Sequence, residues 1–187
     1  SNYTLIISSI RTLLVNVLGS TNASIGNLVA ENKIVQIHAI YRELFSLRIF
    51  CSSVIAGCIN YLSSDFIKLW LGEEYCLSSL FVLLLSIHFF LFISREVTDQ
   101  FLNAYGLVHD IWSPIAESML FIISSFICGY YWGLEGILLA PIVSLVLVIY
   151  CWKPYFLFSQ GFRLPISKYC SLFFSHIFVS LACNIIV

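Results

Sequence analysis

The sequence predicts an all-α polytopic membrane protein, folded as a bundle of about six transmembrane helices. Its apolar residues fall into five or six blocks, each about as long as the roughly 20-residue helix that crosses a bilayer. Hydrophobic residues make up 60% of the 187 residues and charged residues only 10%, whereas an ordinary soluble domain has about 25% charged residues. A soluble core of this size cannot cover so much apolar surface, so we expect lipid to be the solvent for most of it.

The first half of the chain contains three of the predicted spans, at residues 2–29, 47–71 and 77–102, and an amphipathic helix at 34–46 that we expect in the membrane interface. In the first span, Gly19 and Ala23 have the small-xxx-small spacing that lets helices approach closely. Trp70 suits the aromatic belt at the end of the second span, and Gly72 suits a helix C-terminus.

The second half contains the remaining spans, at residues 114–131, 136–158 and 167–187, and all six spans form a single transmembrane domain. Pro114 fits the first turn of the fourth span, where a missing amide has no intrahelical partner to lose. Gly133 and Gly136 predict the turn into the fifth span, and Pro141 predicts a kink within it. Trp152 is expected to anchor the far end of that span at the interface.

The distribution of charge predicts the orientation of the spans. Basic residues cluster in the connection after the first span (Lys33, Arg42, Arg48) and after the fifth (Lys153, Arg163, Lys168), whereas connections two and four carry Glu73, Glu74 and Glu135. The positive-inside rule therefore places connections one, three and five in the cytoplasm, with Lys68 as the exception. The net charge of −1 gives no basic field that would attract a nucleic acid.

Arg11 is the clearest candidate functional residue, because it lies about ten residues into the first span and has no acidic residue at i+3 or i+4. A charge at this depth is costly and usually faces a bundle interior or a wet cavity. Its guanidinium could hold the phosphate oxygens of a pyrophosphate-linked substrate in a bidentate fork. Alternatively, it pairs with a carboxylate of a neighbouring helix or of a helix outside the chain.

Other polar residues within the spans are cavity candidates. Asn16, Asn22 and Asn27 belong to a half-span too polar to face lipid on all sides. Arg95 and Asp99 are four apart on one helical face and can neutralise each other, or they lie in the cytoplasmic interface without a special role.

Glu117 begins the fourth span without a basic neighbour in sequence. It is therefore expected either to be protonated or to hydrogen-bond across helices.

No pattern in the sequence predicts catalysis. There is no G-x-S-x-G elbow, paired carboxylate motif or Gly-rich phosphate loop, and the four histidines lack metal-ligand spacing. We therefore predict that the chain is not an enzyme and has neither a cofactor nor a metal site.

Several stretches resemble the C-terminal lobe of polysaccharide-type flippases, which transport O-antigen or capsule repeat units within the multidrug/oligosaccharidyl-lipid/polysaccharide exporter superfamily. The resemblance covers most of residues 1–165 and rests on the run TNASIGN at 21–27, FIKLWLG at 66–72, FLNAYG at 101–106, GLEGILLAP at 133–141 and WKPY at 152–155. These motifs are individually soft and are informative as an ordered series.

The resemblance implies a bacterial inner-membrane transporter in which two lobes of six helices flank a cavity that opens alternately to either side. Its cargo would be an undecaprenyl-pyrophosphate-linked oligosaccharide, and its first span would match the family's eighth helix, which runs from outside to inside. The chain starts without methionine and stops inside an apolar stretch, so we expect a fragment that lacks the N-terminal lobe. The alternatives are a drug or cation antiporter of the same superfamily, with Glu117 or Asp99 as the ion site, and a membrane-embedded glycan polymerase or ligase.

Overall fold

The structure, a computed structural model, describes residues 2–107 and 112–186, which are mostly helical and contain no strand. The helices are α1 (Asn2–Gly19), α2 (Asn22–Ala30), α3 (Ile34–Leu71), α4 (Ser79–Ala104), α5 (Trp112–Ser144), α6 (Lys153–Phe156) and α7 (Ser167–Ile186). A π-helical stretch, Leu145–Trp152, joins α5 to α6, and a second one, Leu157–Gly161, follows α6. The connection predicted around His109 and the end of the sixth span at Val187 lie outside the described residues.

Four helical stretches in the described part of the chain are long and apolar enough to cross a membrane: Asn2–Ala30, Ile34–Leu71, Ser79–Ala104 and Trp112–Gly161. Large apolar side chains cover the outside of these helices, and Leu69, Phe126 and Tyr130 are at least three-quarters exposed. An exposed apolar surface of this extent indicates a membrane protein. These stretches do not confirm a count of six spans, which stays a prediction.

The fourth stretch folds back on itself at Gly133. This residue has φ 59° and ψ −133°, a backbone conformation that glycine adopts readily and other residues avoid. The two arms, residues 112–132 and 134–161, then run antiparallel, and the Ser124 hydroxyl in the first arm lies 3.5 Å from the Ala140 carbonyl in the second. Residues 112–161 are therefore a hairpin of two helical arms.

One helix replaces the interfacial helix and second span expected from the sequence, since α3 continues without a break from Ile34 to Leu71. No glycine or proline occurs between residues 34 and 56 to interrupt it. The apolar residues of its first part, Ile37, Tyr41 and Phe45, are buried within the bundle. The amphipathic pattern at 34–46 therefore marks a helix face that packs on other helices.

The core lies around α4, which contacts α1, α2, α3, α5 and α6. The largest aromatic cluster of the core connects the beginning of α3, the end of α4, the end of the second arm and α7. Its rings are those of Tyr41, Phe45, Phe101, Phe158, Phe162 and Tyr169. Several of these rings meet edge to face, the preferred arrangement for packed aromatic side chains. The Tyr41 and Thr98 hydroxyls lie 3.4 Å apart within this cluster. This packing fixes α4 against the beginning of α3 and the end of the hairpin.

Candidate functional site

Four charged side chains form an ion-pair network between α4 and the hairpin. Arg95 donates from Nη1 to Glu117 Oε1 at 3.2 Å, and its Nε lies 3.7 Å from Asp99 Oδ2. The Lys153 ammonium donates to the other Asp99 oxygen at 2.6 Å. The four side chains are between 15% and 25% exposed, so the network is largely shielded from solvent. The predicted same-face pair of Arg95 and Asp99 forms, and Glu117 hydrogen-bonds across helices.

Arg11 lies on the exposed side of α1 and contacts α4 through Phe92. The guanidinium carbon of Arg11 is 3.2 Å from the centroid of the Phe92 ring, and that of Arg95 is 4.7 Å from the same centroid. Both cations can interact with the π-electrons of one ring. In the described part of the chain no carboxylate forms an ion pair with Arg11. Its charge is therefore balanced by no close counter-ion there.

A cavity of about 220 Å³ adjoins Arg11, and its wall carries more positive than negative charge. Arg11, His88 and Arg95 line it together with Glu117, which is already bound to Arg95. The remaining lining includes apolar side chains of the hairpin, such as Leu145. This arrangement favours an anionic group. We call it the arginine cavity.

A second cavity, of about 460 Å³, lies between α4 and the helices α1 and α2. All but two of its lining residues are polar or charged. These polar and charged residues are Asn16, Ser20, Asn22, Glu96, Asp99, Gln100 and Asn103. The residues contributed by α4 recur every three or four positions, so they share one helical face. We call this space the amide cavity.

Gln100 is the most deeply placed residue of the amide cavity, with 9% of its surface exposed. Its Nε2 lies 3.4 Å from the Leu18 carbonyl oxygen, to which it donates, whereas its buried Oε1 has no hydrogen-bond partner among the described residues. A buried acceptor without a donor costs free energy comparable to a lost hydrogen bond. The wall of the cavity therefore holds an acceptor that is unpaired among the described residues and closed to solvent.

The predicted candidate residues do not all meet. Asn16 and Asn22 line the amide cavity with Asp99, whereas Asn27 is an exposed residue of α2 that lines neither cavity. Gln100 and Asn103 are not among the predicted candidates, although their spacing from Glu96 on a polar helix face is a signal that identifies them. Nothing in the local pattern distinguishes Phe92 and His88, since both occur in an apolar run.

The positive-inside count assigns Arg48 to the first connection, and the structure places it within the bundle instead. It lies on the bundle side of α3 with 1% of its surface exposed, and its Nε and Nη1 have no hydrogen-bond partner in the described part of the chain. Glu96 of α4 acts electrostatically on both Arg48 and Arg11. The interior of the bundle therefore contains a cation that the sequence pattern places in a connection.

Comparisons of the chain with protein-family models, with curated proteins and with solved structures found no match.

Proposed function

We propose that the chain is part of a flippase that moves lipid-linked oligosaccharide repeat units across the bacterial inner membrane for surface polysaccharide synthesis. The proposal rests on two cavities, one basic and one polar, that lie beside each other in a bundle with an apolar outer surface. Arg11, which lacks a close counter-ion, lines the first, and amide side chains line the second. A cargo with a pyrophosphate, hydroxyl-rich sugars and a polyprenyl tail needs a cationic contact, a polar surface and an apolar flank.

In this proposal the cargo is undecaprenyl-pyrophosphate-linked, and the protein works by alternating access of two lobes. The present chain would supply the C-terminal lobe, and an N-terminal lobe would close the other side of the cavities. The exposed positions of Arg11 and Asn16 on α1 support this arrangement, because a polar helix face in a bilayer requires a protein or aqueous neighbour.

The antiporter alternative has less support, because both carboxylates that it would use are already engaged. Asp99 is held by Lys153 at 2.6 Å, and Glu117 is held by Arg95 at 3.2 Å. A polymerase or ligase also has less support, since the connection between α3 and α4 is only the short segment 72–78. Such chemistry would need a larger extracytoplasmic loop.

Arg11→Ala in the full-length protein is expected to lower surface-glycan export about tenfold or more, since a hydrogen bond to a charged group contributes about 1.5–3 kcal/mol. Arg11→Lys keeps the charge but loses the bidentate fork, so its export should fall between those of the wild type and the Ala variant. Export is measured by complementation of a flippase-deficient strain at equal protein abundance in the membrane.

Thr12→Ala is the matched control for Arg11, because Thr12 is an exposed neighbour whose hydroxyl, among the described residues, donates to the Ser8 carbonyl of its own helix. It should leave export unchanged. Normal export by Arg11→Ala at normal abundance would exclude a role of Arg11 in cargo binding. Reduced abundance that is restored by neutralising a carboxylate would instead assign Arg11 to a structural pair.

The proposed orientation can be tested with cysteines at the two ends of the bundle. Ser78 beside the α3–α4 connection donates to Glu135 at the hairpin tip at 2.6 Å, so these connections share one end. In a background without the seven native cysteines, Glu73→Cys and Glu135→Cys should react with an impermeant thiol reagent added to intact cells. Lys33→Cys and Arg163→Cys should not react, and the reverse pattern would invert the orientation.

A further inference from the structure

The amide cavity has the size and lining of a ligand site. Its volume of about 460 Å³ is within the range of about 300–1,000 Å³ that is usual for small-molecule pockets. We infer that it binds a neutral sugar unit of the cargo through hydroxyl groups, an assignment that rests on the proposed flippase function. The pyrophosphate would occupy the separate arginine cavity.

An unsatisfied acceptor lies in the wall of the cavity. Gln100 is nine-tenths buried, and its Nε2 donates to the Leu18 carbonyl. Its Oε1 has no partner among the described residues and almost no accessible surface. A ligand hydroxyl therefore meets Oε1 only when the Gln100 amide turns toward the cavity, and donation to it there would remove the cost of the buried acceptor.

The charge of the wall disfavours an anion. An anion would face Glu96, whose carboxylate has no ion pair in the described part of the chain. Asp99 is already bound to Lys153 and Arg95, so it offers little to a cation. A neutral ligand meets no repulsion from Glu96 and needs no charge from Asp99.

The lining of the cavity matches the hydrogen-bonding groups of sugar hydroxyls. Each hydroxyl is one donor and a double acceptor, and each asparagine amide offers two donors and an acceptor. Asn16 and Asn22 approach from the α1 and α2 side, and Gln100 and Asn103 approach from α4. Glu96 adds a carboxylate that has no hydrogen bond or ion pair in the described part of the chain and can accept from a hydroxyl. This set can bind several hydroxyls of one ring from two sides.

The inference is tested by protection of a cysteine from alkylation in the purified full-length protein. Ser20 is an exposed residue of the cavity wall, so Ser20→Cys in the cysteine-free background reports on its occupancy. The probes are neutral disaccharides (lactose, maltose, cellobiose and chitobiose), inorganic pyrophosphate and sodium chloride. At least one disaccharide should slow alkylation about twofold at a concentration equal to its Kd, since half of the cavities are then occupied.

Matched variants separate binding in the cavity from indirect effects. Ser9→Cys, an exposed position of α1 outside both cavities, should be alkylated at the same rate with and without sugar. Gln100→Met removes the buried acceptor, and it should abolish the protection of Ser20→Cys. Asn16→Ala changes an exposed wall residue, so it should weaken protection even if Gln100→Met fails to fold.

Protection by pyrophosphate or by sodium chloride instead of the disaccharides would overturn the inference in favour of an anion or a cation site. Absence of protection by every disaccharide would overturn it as well. These outcomes are distinct from failure of the proposed function, which would appear as failure of the wild-type full-length protein to restore glycan export in a flippase-deficient strain. Protection of Ser20→Cys by a disaccharide without such complementation would retain the sugar site and reject the flippase.

Discussion

Gly136→Ala should destabilise the protein, although alanine normally favours a helix over glycine. A Cβ at residue 136 would overlap the carbonyl of Cys128 in the opposite arm of the hairpin. The obstacle is backbone, so no side-chain rotation can relieve it, and the two arms must separate. Overpacking of this kind costs about 1–3 kcal/mol, and each kcal/mol lowers the melting midpoint of a domain of this size by about 2–4 °C. The midpoint can be measured from the monodisperse fraction that survives heating in detergent.

Two other glycines provide a graded control. Gly129→Ala would bring its Cβ to 3.2 Å from the Ile137 side chain, which can move, so its effect should be intermediate. Gly26→Ala meets nothing within 4 Å and should be neutral or stabilising. If Gly136→Ala melts at or above the midpoint of Gly26→Ala, the close approach of the two arms is wrong.

Asp99→Asn should have the second large effect, because one carboxylate holds two cations on different elements. The substitution leaves the Lys153 ammonium, which is 15% exposed, facing an uncharged amide in place of the carboxylate at 2.6 Å. Breaking a fully buried pair costs about 3–5 kcal/mol, and the partial exposure of this one reduces the expected loss to about 1–3 kcal/mol. Adding Lys153→Gln to Asp99→Asn removes the stranded charge, so the double variant should recover part of the midpoint.

An exposed pair provides the control for Asp99. Lys68 and Glu73 also form an ion pair, but their side chains are 57% and 73% exposed. Glu73→Gln should therefore change stability by no more than about 0–1 kcal/mol. Equal midpoints for Asp99→Asn and Glu73→Gln would show that the interior network does not stabilise the bundle.

Local patterns were sufficient for those features that depend on one helix. Block length and composition predicted apolar helices, and the four-residue spacing of Arg95 and Asp99 predicted their ion pair. The second ligand of Asp99 could not be predicted in this way. Lys153 follows a π-helical stretch, and the wider i→i+5 turns there change which residues face α4. Propensity and periodicity do not indicate where such turns occur.

Interior positions of the site were equally hard to predict. The residues around Arg48 in the sequence have the mixed charge that is typical of a connection. Arg48 faces the interior of the bundle because α3 continues through this segment as one helix. Phe92 belongs to an apolar run in which every aromatic residue has the same pattern, so its contact with two guanidinium groups depends on the crossing of α1 and α4. The acceptor of Gln100 is unpaired for the same tertiary reason.

The length of α3 has a consequence for how the protein responds to denaturants. Its 38 residues extend about 57 Å, nearly twice the roughly 30 Å of hydrocarbon in a bilayer. We therefore expect the end of α3 that carries Gln36, His38 and Arg42 to project into water, together with the aromatic cluster packed on it. Burial of those rings would then be driven by water rather than lipid. Urea in the aqueous phase should loosen this projecting end at concentrations that leave the membrane-embedded helices intact.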